Sequence, residues 1–229
     1  MKIIVYAVWF IISKIALGLL LLLMACLLYA LFVLFVVKVP YKQKQLSLEN
    51  LRKGDVILTG KKQKTYSWHI KLSNVLTNGI DSQFWTHAAL YVGNGQLIEA
   101  QPSGLRKCEL KEYFDENFLV KALRHKYIDD NAAEWEEIVS FSERTKNDAD
   151  YKYGYVGLFF YVLATFIPVS MNFIFKNKLI DKLCNLDKAY FCSELVADCF
   201  KEAGIPVSQY DSWRIKPSDF EKNPFFKEI

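Results

Sequence analysis

Thr86-His87-Ala88-Ala89-Leu90-Tyr91-Val92-Gly93-Asn94-Gly95-Gln96-Leu97-Ile98-Glu99-Ala100-Gln101 is the stretch on which the reading of this chain turns. Two apolar runs, THAALYV and QLIEAQ, flank Gly93-Asn94-Gly95, whose residues tolerate a left-handed backbone, so the pattern predicts a β-hairpin. The hairpin carries a histidine and a carboxylate, His87 and Glu99, and their relation depends on the turn. A three-residue Gly93-Asn94-Gly95 loop pairs Val92 with Gln96 and Ala89 with Glu99, placing His87, Ala89, Glu99 and Gln101 on one face. A two-residue Asn94-Gly95 turn sends Glu99 to the other face. On the longer loop Glu99 is a diagonal neighbour of His87, and Gln101 lies directly opposite it. A carboxylate inside an apolar run needs a partner, and His87 is the natural one.

Outward from the hairpin, Gly54-Asp55 punctuates the start of a short strand, Val56-Ile57-Leu58-Thr59, and further strands are predicted at Leu105 to Cys108 and Leu119 to Leu123. Trp135, Ile138, Val139 and Ser142 recur at helical spacing with acids on the opposite face, which predicts an amphipathic helix over Asn131 to Lys146. A second helix is predicted over Cys192 to Ala203, with Leu195, Val196 and Cys199 on one face and a stop at Gly204-Ile-Pro. Ser218, in Pro-Ser-Asp-Phe, is a candidate helix cap near the end of the chain. Trp68, Trp85 and Trp213 are assigned to the core rather than to a groove. The body therefore reads as one mixed α+β domain, an antiparallel sheet packed on helices.

Cys192 opens the second helix, where backbone N–H groups and the helix dipole favour a thiolate. Such a nucleophile requires a base, and the chain has 3 histidines, His69, His87 and His125. His87 is the one on a rigid strand; the others lie in polar, loop-like contexts. Glu99 is the candidate for the third, orienting group. The competing reading makes Cys192 a small buried residue and His87 a satisfied core group. No zinc site is expected, because Cys184, Cys192 and Cys199 lack the close paired spacing of structural zinc motifs.

Gly54-Asp55 before a strand, Thr86 to Gly93, Leu97-Ile98-Glu99-Ala100 and Phe191-Cys192-Ser193-Glu194-Leu195-Val196 occur in an order that resembles the permuted papain-like cysteine hydrolases. Within them the chain is most similar to the YiiX/YebB-like branch of the NlpC superfamily, kin to the lecithin:retinol acyltransferase-like enzymes. The resemblance covers most of Arg52 to Ile229. It implies a circularly permuted papain-like fold, Cys192 as nucleophile, His87 as base and Glu99 as orienting residue. Asp150-Tyr151-Lys152-Tyr153-Gly154 is similar to a Tyr-x-aromatic-Gly element of the superfamily, which implies that Tyr151 lies near the oxyanion. It also implies chemistry without a metal or organic cofactor.

The N-terminal part is of another kind. From Ile15 to Val37 there is no charged residue, and about 20 helical residues span a bilayer core, so 1–40 is expected to be a membrane anchor with a transmembrane helix at about 15–37. A cleaved signal peptide is disfavoured: its apolar region is typically ~7 to 15 residues, and no small-x-small site precedes Lys38. Cys26 does not read as a lipidated cysteine, because apolar residues continue beyond it. Lys38, Lys42, Lys44, Arg52 and Lys53 outnumber Lys2, Lys14 and the amino terminus, a bias of about two charges that favours a cytoplasmic C-terminal domain.

A linker follows over 41–51, then the catalytic domain over 52–229. Within it the apolar stretch Gly154 to Phe175 is long enough for a second span, but one crossing there separates His87 from Cys192. It is expected to be interfacial or re-entrant beside the site, or else to pack as core.

The chain has 229 residues, 52% hydrophobic and 15% aromatic, which excludes disorder, and 5 irregularly spaced cysteines exclude a disulfide scaffold. Lys2, Lys14 and Lys38 stand in an N-terminal stretch without acids; the remaining 26 basic residues face 25 acidic ones. That balance leaves no electrostatic footprint for nucleic acid. The expected partners are a lipid bilayer and an acyl lipid or peptide substrate. Three functions are then in play: a membrane-anchored cysteine hydrolase or acyltransferase, a peptidase acting on cell-wall or other peptides, and an inert membrane-tethered binding domain.

Overall fold

The computed structural model of the chain describes residues 2–36, 46–61, 70–71, 74–75, 84–126, 133–148, 152–155, 189–205, 207–208 and 211–229. Two compact units divide the chain, Met1–Pro40 and Tyr41–Ile229.

In the first unit, α1 runs over Lys2–Val36, 35 residues. It contains no proline and no acid, and its leucine-rich composition favours an unbroken helix. The expected apolar segment is thus helical as far as Val36. Among the described residues, however, no helix is long and apolar enough to cross a membrane.

In the second unit, six strands form one antiparallel sheet among the described residues. They are β1 Val56–Lys61, β2 His87–Gly93, β3 Gln96–Gln101, β4 Gly104–Glu109, β5 Phe118–His125 and β8 Phe226–Glu228. Their spatial order is β4-β3-β2-β1-β5-β8. Two further strands, β6 Lys152–Tyr153 and β7 Ala189–Tyr190, pair in parallel apart from the main sheet. The helices α2 Ala133–Asn147 and α3 Cys192–Glu202 follow the predicted amphipathic patterns.

Each strand's period of two divides its side chains between two apolar layers. Val56, Leu58, Ala88, Leu90 and Ile98 meet Trp135 and Ile138 of α2 and Leu195, Val196 and Phe200 of α3. Ile57, Ala89, Tyr91, Leu97, Val120 and Ala122 face the other way and join Leu110 and Tyr113 of a 3-10 turn, Leu110–Tyr113. Burial on both faces explains why β1 reads as a continuous apolar run rather than an alternating one. Each fully buried leucine or isoleucine contributes about 1.5–3 kcal/mol by leaving water.

Gly54 is required where the chain turns into β1: its φ is +88°, and an added Cβ meets Trp135 Cε3 at 2.2 Å. Trp85 and Trp213 are fully buried core residues, as expected; Trp68 lies outside the described residues.

The cap assignment needs correction. The last helix, α4 Pro217–Lys222, begins after Lys216, so Ser218 sits inside its first turn. There the hydroxyl donates to Asn74 Oδ1 at 2.9 Å, tying α4 to a distant part of the chain. Most of the apolar stretch 154–175 lies outside the described residues.

Candidate active site

The hairpin adopts neither of the simple turns considered from sequence alone. Asn94 and Gly95, with φ +52° and +72°, make a two-residue turn that pairs Gly93 with Gln96. Between Tyr91 and Gly93 the register shifts at a β-bulge, after which Tyr91 pairs with Leu97 and Leu90 with Ile98. That extra residue restores the pairing otherwise given by the longer loop. The short turn thus coexists with the register that sets Glu99 beside His87.

Glu99 is fully buried, and its carboxylate receives four donors. Oε2 is 2.6 Å from His87 Nε2 and accepts Tyr113 Oη–H at 2.6 Å. Oε1 accepts Gln101 Nε2–H at 2.6 Å and Arg106 Nε–H at 2.7 Å. All four lone-pair directions of the carboxylate are therefore used. Burial pushes the Glu99 carboxyl up, but the His87, Tyr113 and Arg106 interactions outweigh it and bring it down to about 2.

On the side away from Glu99 the imidazole shares a cavity wall with Cys192, and the two groups interact electrostatically. Cys192 is the first residue of α3 and is buried. Burial alone raises its pKa; the His87 charge and hydrogen bond, with Ala88 and Ser193 backbone N–H groups, turn the net direction downward. For His87 burial lowers the pKa, and the facing Cys192 and Glu99 charges and hydrogen bonds override it upward. Thiolate and imidazolium thus stabilise each other. The other described buried thiols behave oppositely: burial pushes Cys108 up to about 12 and drives Cys199 above the usual thiol range.

A cavity of about 500 Å³ opens beside His87 and Cys192 and is also lined by Gln101, Arg106, Tyr113, Phe118, Tyr153 and Tyr155. Tyr155 reaches across to donate its hydroxyl to Pro102 O at 3.2 Å. Glu194, one turn into α3, is buried and accepts Phe191 N–H at 3.2 Å; burial, with Asp198 and Cys192 nearby, raises its carboxyl well above the usual range.

Of the residues singled out from sequence, His87, Glu99, Gln101 and Cys192 are brought together. Gln101 holds Glu99 rather than His87. Tyr151 and His69 lie outside the described residues. His125 is remote from the cluster, packed among Phe200, Phe225 and Phe226, with burial lowering its pKa. Sequence reasoning missed Arg106 and Tyr113. Arg106 had a signal available, since it stands directly across from Glu99 in the β3–β4 register.

No family model matches the chain, and no solved structure matches it. Among curated proteins it is similar to the probable lipoprotein peptidase YaeF of Escherichia coli (strain K12), 24% identical over 188 residues. The match covers 77% of this chain and 65% of that protein's length.

Proposed function

We propose that this chain is a membrane-anchored cysteine hydrolase or acyltransferase that cleaves an ester or amide bond through a thioester on Cys192. The observation that carries the reading is a single imidazole that shares a cavity with the first residue of a helix, Cys192, and bonds a fully buried carboxylate, His87 Nε2 to Glu99 Oε2 at 2.6 Å. The likeness to a protein named as a probable lipoprotein peptidase supports a hydrolase or peptidase. A permuted papain-like fold of the NlpC type agrees with the order of the motifs.

In this scheme the Cys192 sulfur attacks the substrate carbonyl carbon; a C–S bond forms and the carbonyl π pair moves onto oxygen. The Cys192 backbone N–H, at the start of α3, helps to hold that oxyanion, with Tyr151 as a second contributor. The imidazolium of His87 protonates the leaving amine or alcohol as the C–N or C–O bond breaks, leaving a thioester. Neutral His87 then takes a proton from water or another acceptor as it adds to the thioester. The C–S bond breaks, releasing the acid or the transferred acyl group and restoring the thiolate–imidazolium pair. Glu99 keeps the imidazole in the required orientation throughout. No step uses a metal or an organic cofactor.

A substrate with an acyl chain suits the aromatic lining of the cavity, formed by Tyr113, Phe118, Tyr153 and Tyr155. A second reading, cleavage of a cell-wall or other peptide, is favoured by the likeness to a probable lipoprotein peptidase. Anchoring rests on the charge-free run Ile15 to Val37, helical as far as Val36 within α1, and the flanking cations favour a cytoplasmic catalytic domain. Extraction of membranes with alkaline carbonate should leave the full chain in the pellet; release into the supernatant would remove the anchor.

The deciding experiment follows thiol alkylation residue by residue against pH, on the detergent-solubilised full chain, in wild type and His87→Ala. Cys192 is expected to react fast below neutral pH and to lose that reactivity in the variant. A screen of acyl esters, amides and peptides then defines the substrate, with Cys192→Ala as the blank. If Cys192 reacts no faster than Cys108 or Cys199, the enzyme reading falls and the tethered binding domain replaces it.

A further inference from the structure

Arg106 and Tyr113 line the cavity, and both also belong to the Glu99 cluster, to which they donate hydrogen bonds. Arg106 is half-buried on β4; its Nε donates to Glu99 Oε1 at 2.7 Å and its NH2 group to Glu112 Oε2 at 3.1 Å. Glu112 in turn accepts Glu109 N–H at 3.3 Å, so the 3-10 turn after β4 holds the far side of the guanidinium. Tyr113 ends that turn. Its hydroxyl donates to Glu99 Oε2, and its ring lies over the His87 imidazole, with centroids 6.2 Å apart and 28° between planes. The ring of Phe118 packs against that of Tyr113 in a T-shaped pair, with centroids 5.2 Å apart.

The result is a row of alternating charge, from the Cys192 thiolate through the His87 imidazolium, the Glu99 carboxylate and the Arg106 guanidinium to the Glu112 carboxylate. We infer that Arg106 and Tyr113 are positioning residues of the cysteine site, Arg106 supplying the charge that balances buried Glu99 and Tyr113 clamping both Glu99 and the imidazole it orients. This inference rests on the catalytic reading of Cys192, His87 and Glu99. Its physical basis is that an ionised carboxylate out of water is tolerated only when paired and hydrogen-bonded. Without the guanidinium, thiolate, imidazolium and carboxylate sum to one negative charge in a buried site. A thiolate is then harder to form.

Other titratable groups share the neighbourhood and are common to all the comparisons that follow. Glu99 is faced by His87 from β2, by Arg106 and Cys108 from β4, and by Glu112 and Tyr113 from the 3-10 turn. Cys192 is faced by His87, by Tyr153 of β6 and by Glu194 of its own helix.

The test is the pH profile of Cys192 alkylation on the full chain in detergent, for wild type, Arg106→Gln, Arg106→Lys and Tyr113→Phe. Arg106→Gln is expected to move the acid limb up by about one pH unit, about tenfold slower alkylation at pH 6. Arg106→Lys keeps the charge and should recover to within about threefold of wild type, a rescue that a packing role does not provide. Tyr113→Phe keeps the stacked ring, removes the hydroxyl and should slow alkylation about threefold.

An Arg106→Gln profile that superimposes on wild type overturns the assignment of Arg106. Should that variant unfold, shown by Cys108 and Cys199 reacting alongside Cys192, Tyr113→Phe decides: an unchanged profile overturns the inference. A wild-type Cys192 without selective reactivity overturns the catalytic reading itself, an outcome distinct from flat variant profiles on a reactive wild type.

Discussion

Two buried carboxylates in one sheet, Asp55 before β1 and Glu99 on β3, are each fully buried and each bonded to an arginine. Arg124 grips Asp55 through two parallel bonds, Nε to Oδ1 at 2.8 Å and NH2 to Oδ2 at 2.7 Å, while Arg52 N–H donates to Oδ2 at 2.7 Å. Arg124 NH2 also reaches Asn50 O at 2.7 Å, so the cluster ties the start of the domain to β5. Burial nonetheless outweighs these donors, and the Asp55 carboxyl is raised from its ordinary value.

At Glu99 the balance has the opposite sign: the hydrogen bonds and charge of His87, with the Tyr113 and Arg106 bonds, outweigh burial. Among the described residues, Asp55 has no cysteine or imidazole as a hydrogen-bonding partner; it is a staple. Glu99 borders a cavity and passes its charge to a histidine and a thiol. A buried Asp–Arg or Glu–Arg pair is thus no sign of chemistry; the imidazole and the thiol beyond it distinguish the two.

The contrast can be broken or sharpened by experiment. The largest effect is expected from Asp55→Ala, which strips the Arg124 guanidinium and the Arg52 N–H of their buried acceptor and should cost about 3–5 kcal/mol of stability by urea denaturation. Cys192 alkylation in the folded fraction should stay at the wild-type rate; a collapse of that rate would make Asp55 part of the site.

The second effect is pH-linked. Glu99 is depressed from 4.5 to about 2 by folding, so its contribution is present above the unfolded value and is lost as pH falls through the folded one. Wild type should therefore lose on the order of 3 kcal/mol between about pH 4.5 and pH 2, a loss that Glu99→Gln removes. Asp55, raised by burial, contributes in the reverse sense, fully present below its unfolded value and declining as pH rises through the folded one. Equal slopes in Glu99→Gln and wild type would cancel the distinction.

A third, Gly54→Ala, forces a side chain into a left-handed backbone and onto Trp135, and should cost about 2 kcal/mol of stability without changing thiol reactivity. The smallest is Lys53→Ala. Its ammonium is 3.5 Å from Glu136 with both side chains exposed, and thermal melting should register no more than about 0.5 kcal/mol.

Much of this was legible in short runs of residues. The alternation in Thr86 to Gln101, the β-branched start at Val56 and the helical spacing after Cys192 are local signals, because strand and helix periodicities repeat within a few residues. They placed His87 and Glu99 on paired strands and Cys192 at a helix start. The bulge between Tyr91 and Gly93 was not legible, since Asn94-Gly95 favours the short turn and only burial on both sides of the sheet demands the shifted register.

Arg106 and Tyr113 were missed for a related reason. Arg106 reads locally as a solvated cation on a short strand, and Tyr113 as an apolar residue after it. They become partners of Glu99 through the β3–β4 register and the 3-10 turn that folds back over it. The meeting of Cys192 with His87 is the furthest from local information, for it exists where α3 packs on the strands that carry the hairpin. Chain chemistry and periodicity are properties of neighbours in sequence and could be read there. Which charge faces which is a property of long-range packing, where buried groups choose partners to avoid standing unpaired out of water.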